Sequence, residues 1–74
     1  TVQRFGEKLR ILRKQRGLSQ RELAEALGYV SATAYISDFE NGRRKPTLEF
    51  ALKVSEYFGV PVDVLVKDEL EVGE

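Results

Sequence analysis

The sequence predicts an all-α fold, a compact bundle of five short helices. Apolar residues recur at three- and four-residue steps along most of the 74 residues, and no segment shows the strict alternation of a half-buried strand. Glycine follows each of the first four periodic segments, as it does at helix ends. With 42% apolar and 32% charged residues, the composition is that of a globular domain whose core is small.

The first two helices have clear boundaries. The first is predicted to run to about Arg16, where Gly17 ends it. Its inner face is Val2, Phe5, Leu9 and Leu12. The second helix begins with Ser19 and Glu22, a capping box in which the serine hydroxyl caps the backbone and the glutamate reaches back. Its inward residues are Leu23, Ala24 and Leu27. Gly28 supplies its left-handed exit.

The third helix is predicted to start near Ser31 or Ala32 and to end at Asn41-Gly42. The fourth opens after Pro46 with Thr47 as its cap. Its predicted inner face is Leu48, Ala51, Leu52, Ser55 and Phe58. A fifth helix covers about 62–67 and brings in Val62, Leu65 and Val66. The folded domain is therefore predicted over residues 1–67, and residues 68–74 form an acidic C-terminal tail.

Composition excludes several function classes. Histidine and cysteine are absent, so the chain lacks the usual bases, nucleophiles and thiolate ligands, and we predict no enzyme activity. No metal site, cofactor or small-molecule site is evident. No apolar run approaches the roughly 20 residues of a membrane span, and no signal-peptide pattern is present, so we expect a cytoplasmic protein without a membrane partner.

Charge is distributed unevenly although it sums to zero. Residues 1–45 hold ten Lys/Arg and five Asp/Glu, whereas residues 46–74 hold two and seven. This gradient favours an anion-binding face such as one for nucleic acid. A solvated surface with a chance gradient is the alternative.

Four sequence segments carry a family resemblance. They are "FGEKLRILRKQRGLSQRELAEALG", "IS..ENG" from Ile36, "RRKPTLE" and "LKVSEYFGV". In this order the chain resembles the lambda-repressor-like, Cro/repressor type of helix-turn-helix domain, also called the XRE family, over residues 4–66. The resemblance implies a helix-turn-helix over about 20–41, a second helix that crosses the DNA backbone and a third that lies in the major groove.

The resemblance also implies roles for three side chains. Gln20 would contact a phosphate or steady a base-reading side chain; an ordinary exposed first-turn residue is the alternative. Arg13 would pair with Glu40, an inward carboxylate that needs a partner.

The chain departs from the family pattern after Gly28, where Tyr29 and the "ATAY" segment lengthen the turn by about two residues.

The stretch after the third helix is predicted to bind phosphates. The cations are Arg43, Arg44 and Lys45, with Asn41 and backbone amides assisting. The third helix offers few base-reading side chains, since residues 31–38 contain no Arg, Lys, Asn or Gln. The candidates are Thr33, Ala34, Tyr35 and Asp38, with DNA shape and bridging water as further sources of specificity.

We expect a transcriptional regulator of the repressor type that binds a near-palindromic double-stranded DNA operator as a homodimer. Activator, restriction-modification controller and antitoxin roles remain open alternatives to repression. An apolar stripe on the outer face of the fourth helix, continued on the fifth, is the predicted dimer interface: Phe50, Val54, Tyr57 and Val64. The alternative is that these side chains complete one monomer's core. The alternative function is a protein–protein interaction module, favoured by the uncharged "SATAY" segment.

Overall fold

The computed structural model describes residues 4–68, which form five α-helices. They are α1 (Phe5–Gln15), α2 (Gln20–Ala26), α3 (Thr33–Glu40), α4 (Leu48–Phe58) and α5 (Val62–Val66). The predicted all-α bundle of five short helices is confirmed. Val2 and residues 69–74 of the predicted tail lie outside the described residues. Within residues 4–68, none of the helices has the length and apolar character needed to cross a membrane.

Local side-chain chemistry fixes where the helices begin. The Glu22 amide donates to the Ser19 hydroxyl at 3.0 Å, and the Ser19 amide donates to the Glu22 carboxylate at 2.8 Å. This is the predicted capping box, and it satisfies two backbone donors at the start of α2. The Thr47 hydroxyl accepts from the Phe50 amide at 3.1 Å and caps α4 in the same way.

The core is built around aromatic rings from three helices. Phe39 of α3 and Phe50 of α4 stack face to face, with ring centroids 4.0 Å apart and planes 8° apart. Phe5 of α1 meets both rings edge-on at about 6 Å. Aliphatic side chains from all five helices surround this group: Leu9, Leu12, Leu23, Leu27, Ile36, Val54 and Leu65. The core therefore fixes α3 against α1 and α4.

The predicted inner face of α4 is partly wrong. Phe50 and Val54 have no exposed surface, whereas Leu48 is 72% and Leu52 is 44% exposed. The helix carries two overlapping apolar faces, and the one bearing Phe50 is buried because its ring stacks on α3. Phe50 and Val54 therefore belong to the core of one chain and cannot form the predicted dimer surface.

The longer turn between α2 and α3 has a packing role. Ser31 adopts a left-handed φ of +64°, which delays the start of α3 to Thr33. The turn places the Tyr29 ring against Tyr35 at 4.9 Å and Phe50 at 5.8 Å. The inserted tyrosine thus extends the aromatic core towards the N-terminal end of α3.

Two features of α1 were not anticipated from sequence. Gly6 lies against α3, and a Cβ at this position would overlap the Phe39 carbonyl oxygen. Lys8 is fully buried, and its ammonium donates to the carbonyls of Val64 at 2.7 Å and Lys67 at 2.6 Å. These carbonyls belong to the last turn of α5, where the helix dipole favours a cation. Lys8 therefore ties the end of α5 to α1.

Asp68, which the sequence analysis assigned to the tail, packs against the bundle. Its carboxylate accepts from the Arg4 amide at 3.0 Å, and its carbonyl accepts from the Arg4 guanidinium at 2.8 Å. Within the described residues, contacts with the bundle therefore include Asp68, which follows the predicted boundary at 67.

Candidate nucleic-acid interface

A buried ion pair joins the first and third helices beneath the candidate interface. Arg13 donates through Nε to Glu40 Oε2 at 2.6 Å and through Nη2 to Oε1 at 3.1 Å. The Glu40 side chain is fully buried, and that of Arg13 is 12% exposed. A third Arg13 donor, Nη1, reaches the Leu18 carbonyl at 2.8 Å. One guanidinium therefore links α1, the loop before α2 and the end of α3.

Further polar groups gather on the same carboxylate. Gln20 Nε2 donates to Glu40 Oε1 at 3.1 Å, and Arg10 Nε donates to the same oxygen at 3.4 Å. Burial alone would raise the pKa of the Glu40 carboxyl, but hydrogen bonds from Arg13, Gln20 and Arg10 lower it below its ordinary value of 4.5. Glu40 is therefore ionised at neutral pH.

Gln20, for which the resemblance implies a phosphate contact or the support of a base-reading side chain, contacts the buried carboxylate of Glu40. Its amide nitrogen carries two N–H donors, and Glu40 accepts one of them. Gln20 is thus held by a buried, ionised group at the first position of α2.

The end of α3 directs the basic loop, residues 43–45. The Gly42 amide donates to the Phe39 carbonyl at 3.2 Å, and the Arg43 amide donates to the Asp38 carbonyl at 2.9 Å. With Gly42 at a φ of +75°, this is a Schellman ending, which reverses the chain just after the helix. The basic loop consequently starts beside the last turn of α3.

The basic loop lies close to α3 through its side chains as well. Arg43 Nη1 is 3.2 Å from Asp38 Oδ1, and Arg44 Nη2 is 3.9 Å from Asp38 Oδ2. The Arg44 guanidinium also lies over the Tyr35 ring, 4.7 Å from its centroid. The two arginine side chains remain 67% and 50% exposed.

The remaining predicted contact residues occupy the surrounding surface. Thr33 and Ala34 are exposed in the first turn of α3, and Lys45 is exposed in the basic loop. Asn41 is exposed and donates to the Ser37 hydroxyl at 3.1 Å. The predicted DNA-contact residues therefore lie on α3, on the loop after it and at the start of α2, which the Glu40 contacts join.

Two side chains of this surface have contacts that the sequence analysis does not predict. The ring of Tyr35, a candidate for base contact, is half-buried against Phe39 at 4.9 Å and Phe50 at 5.6 Å. Arg10 was not singled out, yet it reaches both Glu40 and Asn41 at 3.4 Å. Its place three residues before Arg13, on the same side of α1, was a usable signal.

The predicted dimer residues outside the core are half-buried. The Tyr57 ring lies beneath the Arg16 guanidinium, 5.7 Å from the ring centroid, and meets the Phe58 ring edge-on at 5.0 Å. Val64 packs against the edge of the core. Neither side chain is among the strongly exposed apolar residues of the described chain, which are Val30, Leu48 and Leu52.

The capped α2 has seven residues, and a turn leads from it to α3, which has eight. The buried carboxylate of Glu40 joins the two helices. This arrangement defines a helix-turn-helix domain. The helix-turn-helix family model matches residues 9–65, so the chain belongs to the XRE-type helix-turn-helix family. This is a family of DNA-binding transcriptional regulators and not an enzyme family.

Named relatives share most of this chain but extend beyond it. The cryptic phage CTXphi transcriptional repressor RstR of Vibrio cholerae is 39% identical over 86% of the chain and 56% of its own length. The transcriptional activator BcrR of Enterococcus faecalis is 45% identical over 88% of the chain and 31% of its own length. The chain thus spans about half the length of one relative and about a third of the other.

Solved structures show the same fold. A transcriptional regulator from Listeria innocua superposes with a TM-score of 0.75 at 33% identity, covering 95% of this chain and 64% of that one. The S. venezulae BldD DNA-binding domain gives a TM-score of 0.72 at 29% identity, covering 88% of this chain and 94% of that domain.

Proposed function

We propose that the chain is the DNA-reading part of a sequence-specific transcriptional regulator, a repressor that binds a near-palindromic operator as a homodimer in the cytoplasm. The observation that carries this proposal is the set of contacts joining Gln20, α3 and the basic loop. Gln20 shares Glu40 with α1, and the loop arginines lie against Asp38 and Tyr35. Groups suited to phosphate and to base edges therefore belong to one connected surface.

In this mechanism, the phosphate contacts supply affinity and the third helix supplies sequence preference. Arg43, Arg44 and Lys45 neutralise phosphates, and Gln20 donates to a backbone oxygen. Thr33 and Ala34 are exposed in the first turn of α3, where their methyl groups can meet thymine methyls. A helix of eight residues reads few base pairs, so two copies on a two-fold site supply the remaining specificity.

Selection of bound duplexes from a random pool, followed by footprinting, tests the sequence-reading claim. We expect a site with two related halves about one helical turn apart. A pool that shows no enrichment, although the chain is folded and binds duplex DNA, would contradict sequence-specific recognition.

The dimer is testable separately by sedimentation with and without the selected operator. Because Phe50 and Val54 are in the core, the proposed contact is restricted to Tyr57, Val64 and their surroundings. Tyr57→Glu should weaken two-copy binding to the operator, whereas Leu48→Glu, an exposed control on the same helix, should not. Equal stoichiometry for parent and Tyr57→Glu would remove Tyr57 from the interface.

The second candidate function, a protein-interaction module, is favoured by one observation: Arg43 and Arg44 are both already close to Asp38 in the free chain. A salt titration on random duplex DNA separates the two functions. Each phosphate contact contributes about 0.9 to the slope of log affinity against log salt, so DNA binding predicts a steep dependence. Lys45→Gln should reduce the slope, while the control Lys67→Gln, at the end of α5, should leave it unchanged.

A further inference from the structure

Asp38 occupies a position that a DNA-binding surface would ordinarily leave to a neutral or basic residue. It lies on α3, its side chain is 31% exposed, and its two carboxylate oxygens face the two arginines of the basic loop. We propose that Asp38 is an internal competitor for these arginines and that it weakens binding to random-sequence DNA more than binding to the operator. This inference rests on the proposed function and identifies a residue that sets its specificity.

Asp38 is already paired with the loop arginines in the chain without DNA. The Arg43 amide donates to the Asp38 carbonyl at 2.9 Å, which fixes the start of the basic loop at Asp38. The Arg43 guanidinium donates to the carboxylate of the same aspartate. Arg44 is positioned independently by the Tyr35 ring. The backbone hydrogen bond places the Arg43 backbone beside Asp38, and the Tyr35 ring restricts the Arg44 side chain, so part of the conformational entropy of pairing is lost before DNA binds.

Phosphate and carboxylate oxygens compete for the same guanidinium N–H donors. When the two arginines turn to phosphates, Asp38 is left without its partners and beside a polyanion, which is unfavourable. At a matching base pair, the amino group of cytosine or adenine in the major groove can donate to Asp38 in place of the arginine. The loss is therefore offset where the sequence presents such a donor and not on random DNA.

The test removes the negative charge of Asp38 and keeps nearly the same side-chain shape. Asp38→Asn is compared with Asp63→Asn, a control that makes the same change in net charge on α5, where Asp63 lies 3.8 Å from Lys67. Affinity of the full chain for a labelled random duplex is measured by fluorescence anisotropy across a salt series. From the typical strength of an exposed ion pair, we expect Asp38→Asn to bind about twofold to fivefold more tightly than the control. The salt slope should steepen by about 1 for each arginine released to a phosphate.

A chain that lacks both loop arginines shows whether Asp38 acts through them. In an Arg43→Gln, Arg44→Gln chain, the gain of Asp38→Asn over Asp63→Asn should fall well below its value in the parent, because the groups for which Asp38 competes are gone and only its repulsion of phosphates remains. Thermal unfolding confirms that each variant is folded, and Asp38→Ser provides a second neutral replacement. On the selected operator the gain should be smaller than on random duplex.

The outcomes separate this inference from the proposed function. If the parent binds duplex DNA and Asp38→Asn matches the control, Asp38 is not a competitor. A gain that is undiminished without the arginines would show that Asp38 acts only by repelling phosphates. An equal gain on operator and random duplex would show that Asp38 has no effect on specificity. Either result overturns the inference. If no variant binds duplex at any salt concentration, the proposed function fails and the inference fails with it.

Discussion

Replacing Arg13 with alanine removes the side chain that links α1 to the end of α3 and to the loop before α2. The change deletes two hydrogen bonds to Glu40 and one to the Leu18 carbonyl. It also leaves a carboxylate with a fully buried side chain beside only Arg10 and Gln20, whose contacts are 3.4 and 3.1 Å long. The stability of the fold therefore depends strongly on this one side chain.

The magnitude follows from the burial of the pair. Breaking a buried ion pair from one side typically costs about 3–5 kcal/mol, because the remaining charge stays desolvated. That is a large part of the roughly 5–15 kcal/mol that holds a native domain together. For a domain of this size, each kcal/mol lowers Tm by about 4–8 °C, so Arg13→Ala should lower Tm by at least about 12 °C.

Circular dichroism during thermal and urea unfolding measures the effect. Arg21→Ala is the matched control, since Arg21 is 78% exposed and pairs with Glu25 on the surface of α2. Exposed i,i+4 pairs contribute about 0.3–0.5 kcal/mol, so the control should change Tm by only a few degrees. Equal losses in the two variants would refute the assignment of Arg13 and Glu40 as a buried, stabilising pair.

The same pair predicts a dependence on pH. The pKa of Glu40 is lowered in the folded chain, so its contribution to stability is present above its ordinary value of 4.5 and is lost as the pH falls through the lower, folded value. The difference in unfolding free energy between parent and Arg13→Ala should therefore narrow below about pH 4.5. A difference that stays constant down to acid pH would contradict ionisation of Glu40 in the folded state.

Three further predictions concern the bundle. Gly6→Ala should destabilise the chain by about 1–3 kcal/mol in urea unfolding because a Cβ would overlap the Phe39 carbonyl; a gain in stability, which Ala in place of Gly gives in an open helix, would contradict this packing. Lys8→Met should speed amide hydrogen exchange in α5, since two carbonyls lose a buried donor, and unchanged exchange there would remove Lys8 as its anchor. Phe50→Ala should cost about 3–5 kcal/mol at any protein concentration, while Leu48→Ala should cost less than about 0.5 kcal/mol; equal costs would contradict the orientation of α4.

Local signals in the sequence were sufficient to predict the helices. Ser19 with Glu22, Thr47 and the glycines at helix ends act through the backbone within a few residues, so their effect is the same in most tertiary contexts. The predicted start of α3, near Ser31 or Ala32, is one or two residues early because Ser31 takes a left-handed conformation in the longer turn. Its sequence neighbours gave no signal of this.

The orientation of α4 and the state of the basic loop depend on partners distant in sequence. Periodicity cannot choose between two apolar faces of one helix, and the choice was made by stacking of Phe50 on Phe39. The burial of Lys8 likewise depends on where α5 ends. Asp38 pairs with the loop arginines because the chain reverses at Gly42. The reversal brings Arg43 and Arg44, five and six positions further along the sequence, back to Asp38.

Amide chemical-shift mapping by NMR, with the selected operator added to the isotopically labelled chain at low salt, tests the proposed binding surface most directly. Changes concentrated at residues 19–21 and 33–45, with little change around Lys8 and α5, are the predicted result. A pattern centred on α5, or spectra that do not change while the chain remains folded, would contradict it.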